Sequence, residues 1–185
     1  MWGPPVVTTP PSGLAVSLDR IKAELRLDGT SSHDTRLGDY IAAATAHLEA
    51  MSGLRLLTQT LDVTCSDWAD LARLPIAPVQ SVTSISYVDA AGSAATFSSA
   101  LYQARLAALE PSIVLVSGAG FPAAQAGSLI TVRLVVGYGV EAAIPAQIIQ
   151  ALRILVRALN DDGTLDQVND TVLALMANHR IYLVS

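Results

Sequence analysis

The sequence predicts an α+β fold: a helical bundle core of about four helices, an inserted antiparallel β module, an extended N-terminal arm and a C-terminal tail. Three observations lead there. Helical periodicity is concentrated on either side of a long central stretch and is clearest over residues 34–52. Between about Leu56 and Val140, alternating β-branched residues and turn signals replace it. Hydrophobic residues make up 51% of the 185 residues, enough for a packed core in one domain carrying an insertion. The corresponding boundaries are 1–16 for the arm, 17–55 and 141–160 for the helical core, 56–140 for the β module, and 161–185 for a last helix and tail.

The arm comes first. Residues 1–15 hold four prolines, which fix φ and remove backbone donors, so an extended segment is expected rather than a helix. Such an arm is expected to order against a partner, because prolines pair poorly within a sheet. Ser17 then stands as N-cap of a short helix over Leu18 to Leu25, with Asp19 in its first turn and Leu18, Ile21 and Leu25 on one face. A polar turn follows at 28–32. The clearest helix spans Asp34 to Ser52, with Leu37, Ile41, Ala44, Leu48 and Met51 as a buried stripe, Ser32 as its cap and Gly53 as its end. Ala42, Ala43, Ala46 and Ala50 cover much of its remaining surface, where small side chains let a second backbone approach closely. High helix propensity is the alternative reason for those alanines.

The central stretch reads as strands. Leu57 to Cys65 alternates in part. Val79 to Val88 leads through Asp89-Ala-Ala-Gly92, a hairpin turn, into Ala95-Thr96-Phe97. Tyr102–Leu106 and Ile113–Val116 form a second pair turning near Glu110-Pro111, and Ser128–Val136 is the richest in β-branched residues. Pro145 fits the first turn of the next helix, whose apolar face is Ile148, Leu152, Leu155, Val156 and Leu159. Asp170 is expected to cap a last helix carrying Val172, Leu173, Leu175 and Met176. The chain then runs out through the apolar, strand-like Ile181–Val184.

Composition bounds the function. Eleven Lys and Arg against sixteen Asp and Glu give a formal charge of −5, and the arginines are scattered. A clamp on nucleic acid needs a basic patch, so contact with DNA is expected to be a passage without grip. The charged fraction of only 15% points to apolar or small-residue surface turned toward other subunits, or simply to a large core. The lone Cys65 has no internal disulfide partner and lies in a strand-like run, as a buried thiol would. No stretch is apolar and long enough for a membrane span. The opening Met1-Trp2-Gly3-Pro4-Pro5 lacks a signal peptide's basic region, so folding in the cytoplasm is expected.

A search for chemistry leaves the catalytic, cofactor and metal lists empty. The Gly118 and Gly137 motifs lack the lysine of a phosphate loop. His33, His47 and His179 have no metal-ligand spacing. His47 and Glu49 are two apart on a helix and point to different sides. Asp161, Asp162 and Asp166 lack the glutamate of a calcium loop. Asp67 and Asp70 beside Trp68 could suggest a carboxylate pair, but surface carboxylates are common.

Several stretches in order resemble the head–tail connector (adaptor) family of long-tailed phages, in the form with a β insertion between helices. They are the Pro-rich arm running into Val16-Ser-Leu-Asp19 and Leu25-Arg-Leu-Asp28, then Ile41–Glu49 within 34–53. Leu57-Thr-Gln-Thr-Leu61, Leu74–Val82 and Tyr87-Val-Asp89 come next, and last Thr131-Val132, Gly137-Tyr-Gly139 and Ile144-Pro-Ala146. Phage-derived gene transfer agents carry similar connectors. The resemblance implies a structural protein of the virion or phage-like particle neck: a ring, twelve-fold, between the portal and the stopper or tail-completion protein, with DNA passing through its lumen. It implies no enzyme activity, no cofactor and no membrane. On this reading Ala42, Ala43, Ala46 and Ala50 face a neighbouring subunit. The tail, Met176, Asn178, His179, Arg180, Ile181, Tyr182, Leu183 and Val184, is expected to dock on the portal, with packing back onto its own domain as the alternative. Another neck or tail-completion protein, an unrelated binding module containing β structure, and an enzyme of unrecognised type are the other readings of the chain.

Overall fold

The structure is a computed structural model describing residues 1–27, 29–161, 165 and 168–181. The fold is α+β; the described residues form four α-helices, a five-stranded antiparallel sheet and a separate two-stranded hairpin. The chain divides into two compact units. One is built from Met1–Pro11 and Thr58–Gly137, the other from Ser12–Leu57 and Tyr138–Tyr182.

The β unit has strand order β1-β2-β7-β3-β4, where β1 is Val6–Thr9, β2 Gln59–Cys65, β3 Val79–Val88, β4 Ala94–Thr96 and β7 Ile130–Val136. The two strands with the cleanest alternation, β2 and β7, lie side by side in the middle, with Gln59 opposite Val136 and Cys65 opposite Ile130. Every odd residue of β2 is buried and every even one is not. Leu61, Val63, Val132 and Leu134 therefore line one face, with Leu71, Leu74, Ile85 and Ile113 packed in the same core. The opposite face carries Thr60, Asp62, Thr64, Thr131 and Arg133, and there Asp62 and Arg133 form a two-pronged ion pair at 2.8 Å for each bond. The β3–β4 turn is the expected one: Asp89 Oδ1 accepts from Ala91 and Ser93 N–H, and Gly92 takes the left-handed φ of 84°. The hairpin β5 (Tyr102–Arg105) and β6 (Ser112–Leu115) also forms where its sequence places it.

The arm differs from expectation. Val6–Thr9 pairs with β2 as an edge strand of the chain's own sheet, and Gly3 N–H extends the pairing to Thr64 O at 2.7 Å. Prolines are tolerated because an edge strand needs donors on its inner side only, and Pro4, Pro5, Pro10 and Pro11 all lie outside Val6–Thr9. Gly3 suits the close approach, since a Cβ there would sit 2.5 Å from Thr64 Oγ1 and force that side chain to shift.

The helical unit contains α1 (Leu18–Leu25), α2 (Asp34–Ser52), α3 (Ala146–Asp161) and α4 (Asn169–Met176). α3 packs against both α2 and α4. The buried stripe of α2 is Leu37, Ile41, Ala44, Leu48 and Ser52; Met51 is only half-buried, because the last step continues the four-residue spacing. α3 buries Ile148, Ile149, Ala151, Leu152, Leu155 and Val156, and Leu159 is half-buried. The caps diverge most from what the sequence predicts. Ser17 is the N-cap of α1 but makes no side-chain cap bond; its N–H instead donates to Glu141 Oε2 at 3.0 Å. His33, not Ser32, occupies the N-cap of α2, and the Ser32 hydroxyl is engaged with Thr30. Val168 precedes α4, and Asp170 sits in its first turn, where a carboxylate faces the positive end of the helix dipole. Gly53 ends α2 as expected, with φ 71°. Ion pairs Arg20–Glu141, Lys22–Asp34 and Glu24–Arg153 hold α1 in place, since Ile21 alone is fully buried there.

Candidate interaction surfaces

Several of the side chains weighed for chemistry have structural partners. Asp67 and Asp70 form a reciprocal capping box around the 3-10 turn Trp68–Ala72: Asp67 Oδ1 accepts from Ala69 N–H at 2.8 Å, and Asp70 Oδ2 accepts from Asp67 N–H at 3.3 Å. His47 Nε2 lies 3.2 Å from Asn169 Oδ1. Glu49 turns the other way, its Oε1 accepting from Leu56 N–H at 2.8 Å. Cys65 is buried, and desolvation, reinforced by the nearby Asp70 charge, pushes its thiol up to about 11, far from a reactive thiolate. Asp161 pairs with Arg157, while Asp162 and Asp166 lie outside the described residues. Among the described residues no group of three or more His, Cys, Asp or Glu is arranged to hold a metal ion. A cleft of about 340 Å³ opens between Ser66–Trp68 and the loop Pro122–Ser128. The Asp67 carboxylate at its edge is already committed to its cap.

The surfaces offered for packing are more distinctive. Ala42, Ala43, Ala46 and Ala50 are all exposed, along one side of α2 opposite the Leu37–Ile41–Leu48 stripe. The tail residues are divided. Met176 is 2% and Ile181 5% exposed, so both are buried. Asn178 is exposed, and His179 and Arg180 are half-buried. Tyr182, Leu183 and Val184 lie outside the described residues.

Sequence reasoning missed two features. One is an aromatic cluster in the β unit: Trp68 stacks on Phe121 at 5.1 Å and 11°, meets Tyr87 edge-on at 5.2 Å, and borders Phe97, which stacks on Tyr102. Its members are spread over the turn, two strands and two loops, so no local spacing announces it. The other is Glu49, whose acceptor role for Leu56 closes the Gly53–Leu56 bend. A glutamate in the last turn of a predicted helix, four residues before the terminating Gly53 and with Arg55 just beyond, was the available signal. Desolvation raises the Glu49 pKa, partly opposed by the Leu56 N–H and the Arg55 charge. Among the described residues no helix is long and apolar enough to cross a membrane.

A helical unit is interrupted in sequence by a one-faced antiparallel module, and several of the polar side chains are committed to caps and ion pairs. Residues 15–99, running from before α1 through β4, match the family of phage gp6-like head-tail connector proteins. The resemblance to head–tail connectors is shown over that stretch. Solved structures extend the likeness in fold to nearly the whole chain. A chain in the neck of an empty gene transfer agent particle, computed with C6 symmetry, is 25% identical with a TM-score of 0.81, covering 99% of this chain and 98% of that one. A chain of the native gene transfer agent virion is 24% identical at TM-score 0.77, covering 98% and 97%. One from the neck of the native particle, computed with C12 symmetry, is 24% identical at 0.69, covering 96% and 97%; these last two share the fold. No curated protein matches the chain significantly.

Proposed function

We propose that the chain is a structural head–tail adaptor in the neck of a phage or gene transfer agent particle. It forms a ring, twelve-fold, between the portal and the stopper or tail-completion protein, and DNA passes through the ring. The observation that carries this reading is end-to-end likeness: one neck component matches 99% of the chain at a TM-score of 0.81, and the head-tail connector family covers residues 15–99. Physical features support it. Copies of one chain that meet through two different faces close into a ring when the rotation between them closes. The exposed alanines of α2 are the proposed subunit face, and the segment after α4 is the proposed portal contact. A formal charge of −5 suits a lumen that duplex DNA traverses without sticking.

Native mass spectrometry and electron microscopy of the purified protein, alone and mixed with the portal ring of the same particle, test the proposal. The expected result is a ring of the chain on the portal with twelve-fold averages. A protein that stays monomeric and ignores the portal at micromolar concentration would sink it.

A further inference from the structure

The cleft between Ser66–Trp68 and the loop Pro122–Ser128 has the lining of a site for a guanidinium. On one bank stands Asp67. Its cap uses Oδ1 and leaves the carboxylate's charge without a cationic partner among the described residues, whereas its neighbour Asp70 is paired with the Met1 amine. On the other bank stands Gln125, exposed, its side-chain amide unbonded among the described residues. Trp68 is the aromatic wall, held by its stack on Phe121 and its edge contact with Tyr87. Together these groups suit arginine: opposite charge, a further acceptor for its five N–H donors, and a ring quadrupole for the planar cation. At about 340 Å³ the cleft has room for one such side chain.

The chain itself carries the matching cation. Arg26, Arg36 and Arg105 are exposed and make no ion pair with another described residue, while the other Lys and Arg side chains have partners. Arg36 differs from the other two in its place. Arg36, Ala43 and Ala50 recur every seventh residue, about two turns apart, so the arginine stands at one end of the exposed alanine side of α2. We propose that Arg36 of one copy enters the Asp67–Trp68–Gln125 cleft of the next. The contact rests on the ring reading above. It joins two different faces, the α2 surface and the β-unit cleft, as a closed ring of one chain requires. Alanines let a neighbour come close but leave it free to slide, and one charge in a matching cleft fixes the register. Arg105 lies in the same unit as the cleft, so pairing through it would leave the α2 face unused.

A double-mutant cycle on the full chain tests the contact, read by sedimentation velocity as the concentration at which half of the chains are in rings. Asp67→Asn keeps a capping oxygen and Arg36→Gln a good helix former, so both monomers are expected to melt within about 2 °C of wild type. Each change alone should raise that concentration about tenfold, and both together also about tenfold, because the same contact is lost only once. Arg36→Asp should remove the rings, and Asp67→Arg added to it should bring them back. Arg105→Gln should change nothing. Gln125→Ala, away from the cap, is expected to act in the same direction and serves if Asp67→Asn does not fold. Single effects that multiply to about a hundredfold, rings indifferent to Asp67→Asn, or a loss with Arg105→Gln in place of Arg36→Gln would overturn the contact and leave the ring reading standing. Wild-type chains that form no ring, alone or on the portal, would overturn the ring reading and the contact with it.

Discussion

At the scale of single residues, the polar groups of this chain hold its backbone together. Glu49 shows how. Its carboxylate is drawn out of water to accept the Leu56 N–H beside Arg55, both side chains being about one-sixth exposed. Glu49→Ala leaves that amide without its acceptor and is expected to cost about 1–3 kcal/mol in urea unfolding. Glu49→Gln keeps a carbonyl oxygen there and is expected to cost far less. The sign of the pH effect is set by the raised pKa. The folded state binds the proton more tightly than the unfolded chain, whose value is near 4.5. The Glu49 contribution therefore worsens stability as pH rises from there through the folded value, then levels off. Urea titrations of wild type and Glu49→Gln across that window check it: the difference between them should change with pH there and be flat above it. Asp62 runs the opposite way. The Arg133 hydrogen bond lowers its pKa, so its contribution is present above about 3.8 and lost as pH falls. Asp67 belongs here too. Asp67→Ala is expected to cost about 1 kcal/mol as a lost cap. Neither it nor changes at Asp70, His47 or His179 should remove a turnover activity. A hydrolase or nuclease activity of pure protein that vanishes with one of these changes would contradict the structural role.

At the scale of elements, α2 is the piece with two jobs. Its stripe is buried, while Ala42, Ala43, Ala46 and Ala50 stand exposed. Ala46→Arg should therefore leave the monomer as stable as wild type, since an exposed helical site accepts arginine readily. In a packed ring the same charge would be desolvated, at a cost on the order of several kcal/mol. Sedimentation velocity should show folded monomers in place of rings; rings that persist with both Ala43→Arg and Ala46→Arg would remove α2 from the interface. This scale is also where the sequence was most legible. The spans of α1 and α2 follow from apolar spacing alone, and the Asp89–Gly92 turn from its residues. What escaped depends on distant partners. The Ser17 N–H found Glu141 rather than a local cap, the Pro-rich arm found an open strand edge, and the five aromatics meet only once the sheet is formed. Of the proposed contact residues, the spacing of the alanines was visible in the periodicity of α2. Met176 was legible as part of the apolar face of α4, whereas for Ile181 packing back was only the alternative to docking, because its N–H bonds to Ser52 O, far back in the chain.

At the scale of the whole molecule, the β unit enters and leaves through neighbouring strands: β2 begins at Gln59 directly opposite the end of β7 at Val136. Leu57 and Gly139 also form a bridge, and Tyr138 N–H donates to Leu56 O at 3.0 Å. The long excursion between α2 and α3 therefore closes on itself like a hairpin. The consequence is kinetic. An unstructured segment of that length would tax the meeting of α2 and α3 through loop-closure entropy, whereas a folded one presents ends already side by side. Shortening the effective loop about sixteenfold is worth about 2 kcal/mol. Helix pairing should thus wait for the sheet, and stopped-flow refolding should show the β unit's tryptophan signal preceding protection of α3 amides. A chain in which Gln59–Val136 is replaced by a short glycine-containing turn should pair its helices faster than the parent. Slower pairing in that shortened chain would mean that the insertion guides the helices together by something other than its closed ends.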